Sequence, residues 1–322
     1  MKTLVFIFFF IVFLGGLSIV GWRFTTSLFT ENVRENLQLI KKLEQHVYEL
    51  SHTIGDRSVF KYDALNQAKD YIIEVLTALG YQVDLQPYQV LDKTVYNIVV
   101  TKVGSQYPQQ QIVVGAHYDT CYNPGADDNA SGVAGLLELA RLVSDQPLPY
   151  TVKFIAFVNE EPPFFQTEKM GSRVYAKRAR SRQEDIKAVL VFEMIGFYSD
   201  KAFSQRYPPF FGFFYPNKAN FIAVIGNLSS RDLVKAVTYC FREHSLFPIA
   251  SISMFGFFPG VDFSDHWSFW KEGYQALMIT DTAFYRSPCY HSQADTYEKL
   301  DYQRMAEVVK GFQAVLRSGI CK

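Results

Sequence analysis

The chain has 322 residues, and its 32 Lys and Arg are matched by 32 Asp and Glu, so the formal net charge at pH 7 is zero. That balance excludes a general binder of polyanions such as nucleic acid, and 48% hydrophobic against 20% charged residues excludes a largely disordered chain. The cysteines, Cys121, Cys240, Cys289 and Cys321, form no C-x-x-C pair, which argues against a zinc knuckle or a disulfide-dense scaffold and leaves their pairing open.

From Thr3 to Trp22 the chain carries no charge, a length that suits a helix crossing a ~30 Å hydrocarbon core. The run is longer than the apolar part of a usual signal peptide and ends in no A-x-A site, so an uncleaved anchor is expected rather than a cleaved signal. Lys2 and the free amine precede it and Arg23 follows; positive charge on the short side places that end in the cytoplasm and the rest outside it. Cleavage would instead give a secreted chain. Residues 1–23 are thus expected to be the membrane segment, 24–44 a juxtamembrane amphipathic helix, and 45–322 one catalytic-sized domain without a dividing linker.

Val33, Leu37, Ile40, Leu43, Val47 and Leu50 recur at steps of three and four, which predicts a helix with one apolar stripe packed on the domain. A second helix is expected through Leu65, Ala68, Ile72, Val75 and Leu79, stopped by Gly80. Strands follow at Tyr81 to Val90, Tyr96 to Val103 and Gln111 to Ala116, then a helix over Gly132 to Val143. A buried strand at Val152 to Val158, a helix at Ser172 to Arg180 and a buried strand at Ala188 to Phe192 continue the alternation. Phe221 to Ile225, helix Arg231 to Glu243, strand Ala276 to Ile279 and helix Tyr302 to Leu316 complete it. This rhythm predicts an α/β fold with helices on both faces of the sheet. Two aromatic loops, Pro208 to Pro216 and Phe255 to Pro259, are expected to pack as insertions over one sheet edge.

The residues able to do chemistry fall just beyond strand ends, where open α/β sheets place their sites. His117-Tyr118-Asp119-Thr120 follows one strand; in extended chain residues two apart face the same way, so Asp119 can orient His117. Gly125-Ala126-Asp127-Asp128-Asn129-Ala130-Ser131-Gly132 opens a helix, and taken alone its acids serve as caps. Asn159-Glu160-Glu161 follows a buried strand, where two adjacent carboxylates need a counter-charge. Glu193 follows another, and Tyr290-His291 with Asp295 forms the last cluster. Together these are nitrogen and oxygen donors suited to zinc and related divalent ions.

These segments, together with Glu193-Met194-Ile195-Gly196, resemble the co-catalytic dizinc aminopeptidase family: the bacterial leucyl aminopeptidase-like zinc exopeptidases and their glutaminyl-cyclase relatives. The resemblance runs from about Tyr62 to Leu316. It implies an α/β/α sandwich around a mixed, mostly parallel sheet, a zinc peptidase domain over 45–322, and two Zn2+ ions, with one possible. One ion would take His117, Asp128 and Glu193, and the other His291, Glu161 and the shared Asp128. The resemblance also chooses Asp128 over Asp127 as the bridge. Glu160 would be the general base acting on a metal-bridged water, Tyr290 a hydrogen-bond donor to the oxyanion, and Asp119 a support for His117. Many relatives carry Asp where this chain has Glu193.

Implied is a membrane-anchored metallo-aminopeptidase that removes amino-terminal residues from peptides outside the cytoplasm. The alternatives are a glutaminyl-cyclase-like aminoacyltransferase and a receptor-like homologue without catalysis. Ser264-Asp265-His266-Trp267 resembles a family segment behind the site, with His266 expected to be structural. His46, His52 and His244 read as ordinary surface or packed residues.

Overall fold

A computed structural model describes residues 33–321. The apolar run Thr3 to Trp22 lies outside them; among the described residues no helix is long and apolar enough to cross a membrane. The chain divides into two units between Lys41 and Lys42. Helix α1 covers residues 33–48. In the larger unit Leu43, Val47 and Leu50 are fully buried, whereas Val33 and Leu37 of the first unit are exposed.

The larger unit is built on α2 (Tyr62–Ala78), β1 (Val83–Val90), β2 (Lys93–Lys102), β3 (Tyr107–His117), α3 (Gly132–Val143), β4 (Tyr150–Phe157), α4 (Gly171–Ser181) and β5 (Asp185–Phe192). It continues through β6 (Ile222–Asn227), α5 (Arg231–His244), β7 (Ile249–Met254), α6 (His266–Lys271), β8 (Ala276–Thr280) and α7 (Tyr302–Arg317). Helix α2 stops as the sequence predicts: Gly80 takes φ 82°, and the Tyr81 N–H reaches back to the Leu76 carbonyl.

The eight strands form one sheet in the order β1-β2-β4-β3-β5-β8-β6-β7. The central run is parallel, with β3 between β4 and β5 and β5 beside β8, while β1, β2 and the β8–β6 junction pair antiparallel. Strands buried on both faces read as continuous apolar runs, which is why β3, β4 and β5 were legible. Alternate residues serve the two layers. Val113, Ile155, Phe157, Val189 and Val191 pack with Tyr175 of α4 and Phe269 of α6, and on the opposite side Phe192 meets Phe312 of α7 at 5.3 Å between ring centres.

Two elements escaped the sequence reading. Strand β7, Ile-Ala-Ser-Ile-Ser-Met, is an edge strand with small polar residues at alternate positions and no apolar run to mark it. Helix α6 has six residues, too few to show a period. Cys240 of α5 is disulfide-bonded to Cys321 across 81 residues of sequence, while Cys121 and Cys289 are free.

Replacing Phe312 by Ala, which strips the contacts to both Phe192 and Phe241, is expected to lower stability by about 3–5 kcal/mol in urea unfolding; a loss below ~1 kcal/mol would contradict this account of the core.

Candidate metal centre

The central parallel strands end on the same side, so the segments beyond them converge. His117 is the last residue of β3, Glu160 and Glu161 lie beyond β4, Glu193 immediately follows β5, and His291 lies in the connection after β8. Asp128 sits in the turn Ala126–Ser131 that leads into α3.

At the centre is Asp128. Its Oδ1 is 3.3 Å from His117 Nε2, and its Oδ2 is 3.1 Å from His291 Nε2. His117 Nε2 also lies 3.3 Å from Glu193 Oε1, and His291 Nε2 lies 3.3 Å from Glu161 Oε2. Glu160 Oε2 is 4.0 Å from His117 Nε2. These imidazole–carboxylate separations fit cations: donors about 2.0–2.1 Å from a tetrahedral ion stand roughly 3.3 Å from one another. All six predicted metal and base residues therefore meet in one place, and each oxygen of Asp128 faces a different imidazole.

Turn geometry holds them there. The Asp119 carboxylate accepts hydrogen bonds from the backbone N–H groups of Glu160 and Glu161, each at 3.1 Å. Asp295 does the same for Asp127 and Asp128, at 2.9 and 3.1 Å. The Asp119 carbonyl, at 3.1 Å, is nearer to His117 Nδ1 than its carboxylate at 3.6 Å, so Asp119 supports both the imidazole and the Glu160-Glu161 turn. The acidic turn before α3 also does more than cap. Asn129 Oδ1 does accept from the Gly132 N–H, but it accepts from Met194 as well, and Asn129 Nδ2 donates to the Phe192 carbonyl. Asp127 Oδ1 receives the Gly196 N–H and Ser131 Oγ the Ile195 N–H. These bonds frame Glu193 and commit Asp127 to the backbone, leaving Asp128 to face the histidines.

Glu193 is held at both oxygens: Oε1 faces His117 while Oε2 accepts from Ser264 Oγ at 2.5 Å. Sequence reasoning placed Ser264 behind the site but gave it no role. It missed Arg57 entirely. This fully buried guanidinium donates to the carbonyls of Leu50, Gly55, Tyr118, Pro124 and Gly125, tying the His117 and Asp128 segments to the chain before α2. Gly125 has φ 59°, and a Cβ there would run into Thr120 and the Asp128 carbonyl, so the turn requires glycine. His291 itself adopts φ 52°, a conformation that non-glycine residues hold where packing overrides it.

The electrostatics expose what the cluster lacks. Asp128, Glu160, Glu161 and Glu193 are all buried, and among the described residues no Lys or Arg forms an ion pair with them. Burial, followed by the charge of Asp128, pushes Glu161 up to about 8; burial likewise holds Glu160 well above the carboxylate range. His117 would be lowered by burial, but Glu193, Asp119 and Asp128 raise it well above an ordinary imidazole. Two divalent cations match the charge of the four carboxylates, and the N and O donor set suits zinc. The fit to such ions is good.

Tyr290 stacks on His291 with ring centres 3.9 Å apart and lines an apolar cavity of about 120 Å³ that also reaches Glu193. Tyr207, Phe211, Tyr215 and Phe258 form part of its wall. The aromatic loops thus pack together, Phe211 on Phe258 at 5.5 Å, and also shape a space beside the site. Of the other histidines, His266 is structural: Nε2 donates to the Val261 carbonyl at 2.7 Å. His46 is buried between Tyr71 and Glu138, His52 packs against Tyr48, and His244 bonds the Cys240 carbonyl.

Residues 97–316 match the model of Peptidase family M28. The uncharacterized protein YfbL of Escherichia coli K12 is 41% identical over 286 residues, covering 86% of this chain and 87% of YfbL. A probable leucine aminopeptidase of Trichophyton verrucosum is 27% identical over 308 residues, covering 90% and 74%. In fold the chain is similar to BSAP, a zinc aminopeptidase from Bacillus subtilis, with TM-score 0.71 at 15% identity over 87% of this chain and 95% of that one.

Two expectations follow. Asp295→Asn replaces one of two carboxylate acceptors by a donor opposed to a backbone N–H, and should weaken zinc binding about 10- to 100-fold in chelator competition; unchanged affinity would remove Asp295 from the scaffold of the site. Burial also holds His266 down at about 4 against an ordinary 6.5. The unfolded chain therefore binds the extra proton first, and stability present above pH ~6.5 is lost as pH falls toward 4, by about 3 kcal/mol. His266→Gln, which keeps a donor for Val261, should flatten that part of the stability–pH curve; an identical slope would refute the assignment.

Proposed function

The chain belongs to peptidase family M28, and from that premise we propose that it is a zinc-dependent aminopeptidase that removes amino-terminal residues from peptides. The observation that carries the reading is the carboxylate of Asp128 divided between two imidazoles, with a separate buried carboxylate, Glu160, beside them. His117, Asp128 and Glu193 would hold one zinc, and His291, Glu161 and the shared Asp128 the other. When bound, such ions polarise a carbonyl and make water acidic enough to lose a proton near neutral pH.

The protein's own groups do the rest. Glu160, raised by burial and adjoining the imidazole of His117, takes a proton from the attacking water and returns it to the leaving amine. The Tyr290 hydroxyl is kept protonated by burial and by the nearby charges of Asp128 and Glu161, so it is a donor available to the developing oxyanion. The apolar cavity beside Tyr290 receives the first side chain. Its volume of about 120 Å³ approaches the ~150 Å³ in which an apolar cavity binds benzene, which favours leucine- or phenylalanine-sized residues.

We place this catalytic body outside the cytoplasm, held to the membrane by Thr3 to Trp22. The Cys240–Cys321 bond supports that placement, because disulfides persist in oxidising compartments.

The full chain should hydrolyse leucyl and phenylalanyl anilides and lose that activity to a chelator. Glu160→Gln should lower kcat by about 10²- to 10⁴-fold with metal content unchanged. A chelator-insensitive rate, or full activity in Glu160→Gln, would defeat the reading. A peptide beginning with Gln should be shortened by one residue; loss of ammonia at constant length would favour cyclase chemistry.

A further inference from the structure

The two sides of Asp128 are not equally furnished. On the His117 side both partners are tied down, the imidazole Nδ1 against the Asp119 carbonyl and the second Glu193 oxygen by Ser264. On the His291 side Glu161 Oε1 is buried with no hydrogen-bond partner, and the His291 side chain is 30% exposed. Beside this less committed pair lies Cys121, a free and half-buried thiol four residues beyond His117. Its Sγ, a Glu161 carboxylate oxygen and a His291 ring nitrogen all lie within 4.8 Å of one another.

The backbone on either side of Cys121 is anchored. The Thr120 N–H bonds the Arg57 carbonyl at 3.0 Å, and Gln293 Nε2 donates to the Tyr122 carbonyl at 2.7 Å. Cys121 is therefore held between two fixed neighbours, on a segment bonded directly to the one that carries His291.

We propose that Cys121 is a thiolate ligand to the cation on the His291 side, making that half of the centre a Cys/His/carboxylate site selective for thiophilic divalent ions. This rests on reading Glu161 and His291 as ligands. On binding, the S–H bond gives its proton to solvent and the sulfur lone pair goes to the cation; nothing is oxidised or reduced. Sulfur donors favour zinc and cadmium over magnesium and manganese, which prefer oxygen. The His117 half, with nitrogen and oxygen donors alone, lacks that bias.

Cobalt(II) loaded into the full chain reports the ligand directly. The expected spectrum has visible d–d bands together with a near-ultraviolet thiolate-to-cobalt charge-transfer band. Cys121→Ser should keep the d–d bands and lose the charge-transfer band, while Cys289→Ser keeps both. In the unsubstituted chain, alkylation of Cys121 by iodoacetamide, mapped by mass spectrometry, should be lost on zinc loading and restored by chelator. Bound cobalt without a charge-transfer band, a band that survives Cys121→Ser, or alkylation indifferent to zinc would overturn the thiolate assignment and leave the metal centre standing. Failure of the chain to bind cobalt at all would overturn both.

Discussion

Four carboxylates buried around two imidazoles set the terms for everything else in this molecule. Asp128, Glu160, Glu161 and Glu193 are each under a tenth exposed, and an isolated buried carboxylate costs several kcal/mol unless it is protonated or paired. The chain supplies the group too few positive charges and invests instead in fixing it. Asp119 and Asp295 each clamp two successive backbone N–H groups of a turn that carries these acids. Arg57 spends its guanidinium on backbone carbonyls of the surrounding loops rather than on the acids. Such a structure holds negative charge ready for cations instead of neutralising it internally. Each imidazole already stands from its carboxylate partners at the separation that donors around a tetrahedral ion require.

The sheet explains how residues so remote in sequence come together. Strands β4, β3, β5 and β8 are neighbours and run parallel, so their following loops lie side by side, and the hydrophobic layers on both faces keep those ends in register. The antiparallel strands β1 and β2 extend the sheet on one flank. On the other, β6 and β7 support aromatic loops, with the Tyr215 hydroxyl bonded to the Ser251 carbonyl of β7. Those loops build the cavity next to Tyr290. The cluster of imidazoles and carboxylates thus belongs to the parallel centre of the sheet, and the apolar cavity to its aromatic edge.

Much of this is legible in the sequence. Parallel strands covered on both faces appear as unbroken apolar runs, and a His or Glu at the end of such a run has no apolar rationale; His117, Glu160, Glu161 and Glu193 stood out for that reason. Asp128 was harder, because an acid before a helix has a sufficient explanation as a cap, and only the wider resemblance separated it from Asp127. The structure shows the physical difference: Asp127 Oδ1 accepts the Gly196 N–H, whereas the two oxygens of Asp128 face His117 and His291. What sequence did not reveal depends on distant pairings. Asp295 meets residues 167 and 168 positions earlier in the chain, Arg57 recognises bare carbonyls that any residue could offer, and Cys240 with Cys321 was one of several possible pairs. The half-polar edge strand β7 and the short helix α6 carry no periodic signal at all.

The central claim is that one carboxylate is shared by two ions, and anomalous diffraction from zinc-loaded crystals of the full chain tests it most directly. The account predicts two peaks about 3.5–4 Å apart, one between His117 and Glu193 and one between His291 and Glu161, both within bonding distance of Asp128. Crystals grown with zinc in excess that show no peak beside Asp128, or peaks only at surface residues, would contradict it.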